Sequence, residues 1–334
     1  MLFGTTTASP LAGQLLDAAA ESGITFFDTA EMYPVPQSAV THGASEAILG
    51  EWLQHQRRED FTVATKVAGP SGQMDWIRGG PQSLNASNIM QAIDGSLSRL
   101  QTDYIDLFQI HWPDRYVPMF GETSYDPRLH FTAIPLEEQL TALGQAVEAG
   151  KIRAVGLSNE TPWGLMHSCQ LAQVSESIPR IAAVQNAYSL VCRSFEEGLA
   201  ECCHREEVSL LAYSPLAMGL LTGKYLAADG GPPEARLNRY KGRYAEAESR
   251  YGPRPSLQRA VSAYAALAQE TGIAPVELAI RFVLSQSLVA SAIVGATSLA
   301  QLQQITHAAQ NGPLESALLN AINELHQAHP NPAP

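Results

Sequence analysis

The chain has 334 residues, 21 Lys and Arg against 33 Asp and Glu, and a formal net charge of −12 at pH 7. Its 45% hydrophobic content supplies a large core and excludes disorder along the whole chain. An acidic balance with no basic run longer than Arg57-Arg58 excludes a nucleic-acid surface, and no stretch approaches the roughly 20 apolar residues of a membrane span.

The first basic side chain is Arg57, so no targeting segment is expected. Four cysteines, two of them vicinal, point to a reducing, cytoplasmic setting. Cys202, Cys203 and His204 lie in a helical stretch, where adjacent residues point to different faces. No metal site is expected there.

In chain order, short Val-, Ile-, Phe- and Leu-rich runs alternate with helical spacing, the pattern of repeated βα units. A stub strand at 1–4 precedes a helix at 11–22. Strands then follow at 24–28, 61–67, 105–111, 154–158, 182–186, 209–214 and 290–295. Helices are predicted at 44–55, 85–100, 136–149, 162–174, 195–205, 256–271, 299–308 and 314–328. Ser45, Asn85, Ser194 and Ser298 are candidate N-caps, while Gly23, Gly150 and Gly272 stand where helices should stop.

About eight βα units in one domain, 1–328, with a Pro/Ala tail at 329–334, predict a (β/α)8 TIM barrel. An open doubly wound sheet is the competitor, and no Gly-x-Gly-x-x-Gly follows an early strand to support it. Three long loops, 69–84, 112–135 and 217–255, are the expected walls of a site.

Catalytic groups in such barrels come from the C-terminal ends of strands. Those ends offer Asp28, with Tyr33 just beyond, then Lys66, then His111. A tyrosine is a poor proton donor near neutrality, and the Lys66 ammonium is expected to lower its pKa. Asp28 would hold Lys66 charged, and His111 would position a substrate oxygen. Singly, each has a plain structural explanation as a cap, snorkelling lysine or core histidine; together they form a constellation.

The string Gly23-Ile24-Thr25-Phe26-Phe27-Asp28-Thr29-Ala30-Glu31-Met32-Tyr33, with Ser45-Glu46 and Leu49-Gly50 after it, resembles the aldo-keto reductase signature. The resemblance continues through 104–113, 150–159 and Tyr213-Ser214-Pro215-Leu216, and so covers nearly the whole chain. Within that superfamily the chain is most similar to the Tas-type branch, itself similar to potassium-channel β subunits, as His111-Trp112-Pro113-Asp114 and the long following loop suggest.

The resemblance implies a barrel binding NADP(H), with NAD(H) possible, and a small-molecule carbonyl substrate. It makes Asp28, Tyr33, Lys66 and His111 a catalytic tetrad, with Trp112 in the substrate pocket. Ser158, Asn159 and Gln185 would hold the nicotinamide carboxamide, and Tyr213 would stack on the ring. Ser214, Pro215, Leu216, Gly219, Leu220 and Lys224 would follow the pyrophosphate and ribose; Gly295, Thr297, Gln301 and Gln304 would line the adenosine end.

A 2′-phosphate needs a cation, and Lys224 and Arg236 are the nearest suppliers. Two rival functions remain: a redox-sensing regulatory subunit with slow turnover, and a Schiff-base aldolase using Lys66. Relatives in the family begin with a hairpin and a full first strand. Met1-Leu2-Phe3-Gly4 matches only that strand's end, so the hairpin and part of strand one are expected to be missing.

Overall fold

Seven predicted strands form and pair in parallel, in chain order, in a computed structural model that describes residues 1–79 and 83–334. They are β1 (Phe26–Asp28), β2 (Thr62–Val67), β3 (Ile105–Ile110), β4 (Ile152–Ser158), β5 (Ile181–Ala187), β6 (Ser209–Tyr213) and β7 (Val289–Ile293). Residues 80–82 of the predicted loop 69–84 lie outside the described residues.

Around the sheet run α1 (Ser9–Glu21), α2 (Ala44–Leu53), α3 (Ala86–Leu100), α4 (Leu136–Glu148), α5 (Pro162–Val174) and α6 (Leu199–Arg205). The long excursion after β6 carries α7 (Arg236–Arg239) and α8 (Ala245–Tyr251), and leads into α9 (Pro255–Glu270) and α10 (Pro275–Leu284). After β7 come α11 (Leu299–Gln310) and α12 (Ser316–Ala328). The result is a single-domain, nearly closed barrel of the (β/α)8 TIM type, seven strands wrapped by alternating helices.

The predicted stub strand does not form. Residues 1–4 make only one isolated bridge, Phe3 to Thr7, and the sheet runs from β1 to β7 without joining them. Helix α1 nevertheless packs beside α11, so the helical ring closes where the sheet does not.

Side-chain alternation along the strands builds the interior in layers. Ala64, Leu107, Ala183 and Leu211 cluster inside the barrel with Phe26, Ala154 and Ile293. Two residues further along each strand, on the same face, stand Asp28, Lys66, Gln109, Gly156, Gln185 and Tyr213. Alternate residues such as Val63, Phe108, Val155, Val184 and Leu210 face outward into the larger core under the helices. A separate apolar cluster roofs the mouth: Met32, Val35, Met74, Ile77, Trp112 and Tyr244, all from segments beyond the strand ends.

The capping expectations divide. Asn85 Oδ1 accepts from Asn88 N at 2.9 Å and Ser298 Oγ from Gln301 N at 3.3 Å. Ser45 instead lies inside α2, behind Gly43 in the left-handed region, and donates its hydroxyl to Phe3 O at 2.8 Å. Ser194 opens a short 3₁₀ turn and makes no cap hydrogen bond. The six C-terminal residues pack on the barrel: Ala333 is buried, and its N–H donates to Val191 O at 3.0 Å.

Candidate active site

The inner layer that closes the top of the barrel is polar except at Gly156. Lys66 is fully buried, and its ammonium donates to Asp28 Oδ2 at 2.5 Å and to Thr29 O at 2.7 Å. The other carboxylate oxygen, Asp28 Oδ1, accepts from Gln185 Nε2 at 2.9 Å and Gln109 Nε2 at 3.1 Å. Gln185 also donates to Gln109 Oε1 at 3.3 Å, so the two amides and the acid form one network. Gly156 leaves room for this arrangement: a Cβ there would meet Gln109 Cγ and Ala183 O, both at 3.1 Å.

Tyr33 and His111 sit above that layer. Tyr33 Oη lies 3.5 Å from His111 Nε2, and the two rings meet edge to face. Lys66 Nζ is 5.4 Å from the centre of the Tyr33 ring, and its hydrogen bonds go to Asp28 and Thr29. The expected lowering of the Tyr33 pKa by Lys66 is therefore overturned. Burial first, then the charges of Asp28 and Glu246, push the Tyr33 phenol well above its ordinary value.

Burial also depresses Lys66, which Asp28 opposes by charge and hydrogen bond. Lys66 is held as an ion-paired ammonium, not presented as a free amine nucleophile. His111 is pushed well below the usual imidazole range by burial and then by the Lys66 charge, so it stands neutral at pH 7. Its Nδ1 is buried without a partner.

Around this centre the structure places the other predicted residues, apart from Leu220, on one cavity of about 1990 Å³. It begins at Tyr33, His111 and Trp112, passes Ser158, Asn159, Gln185 and Tyr213, and follows Ser214, Pro215, Leu216 and Gly219 to Lys224 and Arg236. It ends along Gly295, Thr297, Gln301 and Gln304.

Within it, Asn159 Nδ2 donates to His111 O at 2.9 Å, and Tyr213 Oη donates to Asn159 Oδ1 at 2.6 Å. Ser158 Oγ donates to Gln185 O at 2.9 Å. Asn159 and Ser214 both hold left-handed backbone, φ 52° and 56°, a conformation Asn tolerates and Ser adopts at a cost, common at sites the surrounding fold over-determines. Gln301 Oε1 accepts from Thr297 N at 3.0 Å and so shapes the turn into α11.

Sequence reasoning missed two members. Gln109 was legible in principle, because it lies two residues after the inward-facing Leu107. Arg250 was not: it comes from α8 in the long loop, with no strand period to point at Tyr213, to whose hydroxyl it donates at 3.0 Å.

A parallel barrel whose polar inner layer opens into a long cavity, with a phenol and an imidazole over a buried acid–ammonium pair, defines a barrel enzyme with its site at the strands' C-terminal ends. The Aldo/keto reductase family model matches residues 1–327, and the chain belongs to that family and is an oxidoreductase. It is 42% identical to Protein tas of Escherichia coli (strain K12) over all of this chain and 94% of that protein. It is also 41% identical to an aldo-keto reductase of Babesia bovis, over 79% of this chain and 95% of that one. A human relative, aflatoxin B1 aldehyde reductase member 4, is 31% identical over 97% of this chain and 91% of its own length.

Proposed function

We propose that this protein reduces an aldehyde or ketone to an alcohol with NADPH, Tyr33 delivering the proton to the carbonyl oxygen. The observation that carries this reading is the cavity. It joins the Tyr33–His111 pair to the α11 turn without interruption. Lys224 and Arg236 face it, neither forms an ion pair among the described residues, and Arg236 Nε is buried without a partner. Two unpaired cations on one wall suit a phosphorylated ligand.

Bound there, the dinucleotide supplies the hydride. Ser158, Asn159 and Gln185 would take its carboxamide, Tyr213 its ring, the 214–224 segment with Lys224 and Arg236 its phosphates, and 295–304 its adenosine. The chain's own residues do the rest. His111, neutral, donates or accepts at a substrate oxygen without bringing a charge of its own. Tyr33, held protonated, has a proton to give as negative charge develops on that oxygen. The roof of Met74, Trp112 and Tyr244 shields the reacting atoms from water. The four free thiols suit a reducing, cytoplasmic setting.

The test is Tyr33→Phe. Loss of the hydroxyl should lower kcat by about 10²- to 10⁴-fold while NADPH still binds. Undiminished carbonyl reduction by that variant, followed by NADPH absorbance, would sink the assignment.

A further inference from the structure

Arg250 is among the most deeply buried charges in the molecule, 1% exposed, and its ion pair is a long one. It pairs with Glu246 on the same helix at 3.9 Å. Its hydrogen bonds go elsewhere: Nε donates to Pro334 O at 3.2 Å and a terminal NH donates to Tyr213 Oη at 3.0 Å.

A guanidinium has no lone pair to offer, so Tyr213 Oη must accept from it. The single phenolic proton is then directed to Asn159 Oδ1 at 2.6 Å. That fixes the amide: Oδ1 faces Tyr213, and Nδ2 faces His111 O at 2.9 Å and Ser158 Oγ at 3.3 Å. The chain of donors runs one way, from Arg250 to the main chain of His111.

The C-terminal segment holds the start of that chain in place. Asn331 Oδ1 accepts from Arg193 N at 2.6 Å, and its Nδ2 donates to Glu197 at 2.6 Å. Pro332 O accepts from Arg254 at 3.0 Å, and Ala333 is buried. Residues 331–334 thus lie as a strap from the β5–α6 connection to α8, ending on the Arg250 guanidinium.

We propose that Arg250 is a positioning residue: braced by this strap, it sets the hydroxyl of Tyr213 and through it the amide of Asn159, so that both present a fixed face to the nicotinamide end of the cofactor. This rests on the dinucleotide reading of the cavity. Arg250 is not among the residues lining the cavity, so its effect is expected at the nicotinamide end of the ligand only.

The experiment measures the Kd of NADPH and, separately, of adenosine 2′,5′-bisphosphate, which lacks the nicotinamide. Arg250→Met should weaken NADPH by about tenfold and leave the bisphosphate within about twofold, with Arg250→Lys recovering part of the loss. Tyr213→Phe keeps the ring and removes the relay, so it should cost a similar factor, and the double variant should cost no more than either alone. Asn331→Ala, which loosens the strap from its exposed side, should reproduce a smaller loss for NADPH alone and serves if Arg250→Met does not fold.

Equal weakening of both ligands, or effects of Arg250 and Tyr213 that multiply, would overturn the positioning role. Wild-type protein that binds neither NADPH nor NADH would instead overturn the cofactor reading beneath it.

Discussion

Lys66 and Asp28 each depend on the other for solvation, because the ammonium is fully buried and the carboxylate nearly so. Removing the cation strands a buried anion that, among the described residues, keeps hydrogen bonds from the amides of Gln109 and Gln185. Lys66→Met should therefore lower the unfolding free energy by about 3–5 kcal/mol, and adding Asp28→Asn should restore part of it. Chemical denaturation of the single and double variants checks this; a double variant less stable than Lys66→Met would contradict it.

His111 makes the complementary point for protons. Its folded-state pKa is depressed, by burial and then by Lys66, whereas the unfolded chain takes up that proton near pH 6.5. Below that pH the unfolded state binds more protons than the folded one, so stability falls as pH drops from 7 to 5, by at most about 1.4 kcal/mol per pH unit for this group. His42 and His326 are shifted the same way, mainly by burial. Thermal melts at pH 5, 6 and 7 should show the slope, and His111→Gln should flatten it in part; an unchanged slope would refute the role given to His111.

Residues at strand ends were readable because the barrel rule and a period of two place them. The direction of the Tyr33 shift was not readable. It depends on where the Lys66 hydrogen bonds go and how much water Tyr33 loses, and neither is written in spacing.

At the scale of elements, the strands were legible because short β-branched runs bounded by turn residues have few other readings. Helix α10 was not anticipated. Leu278, Ala279, Ile280, Phe282 and Val283 are all buried, so its apolar residues run almost continuously and hide the helical period. The short α7 and α8 sit in a stretch rich in Gly, Pro and charge, where sequence pattern favours loop. Yet α8 carries Arg250, so the least legible part of the chain supplies a contact to Tyr213. Ser45 shows the same limit in small: a serine before an apolar helical run reads as a cap, and only the left-handed Gly43 ahead of it shows that the helix has already begun.

For the whole molecule, the count of units identified the barrel, and the family resemblance already led one to expect a shortfall in strand one; the sheet stays open between β7 and β1. A ring has no first link to break; this sheet has two, the free sides of β1 and β7. Opening can therefore start at the seam and travel inward, strand by strand, instead of requiring the circle to rupture. The seam strand β7 is only half-buried, whereas β3 lies almost wholly inside. Hydrogen–deuterium exchange should show β1 and β7 losing protection before β3 and β4, and uniform protection around the barrel would disprove it. Because β1 carries Asp28, the earliest breathing of the fold would also be the earliest loss of the ion pair with Lys66. Catalytic competence would then fade under mild heat before the barrel as a whole comes apart.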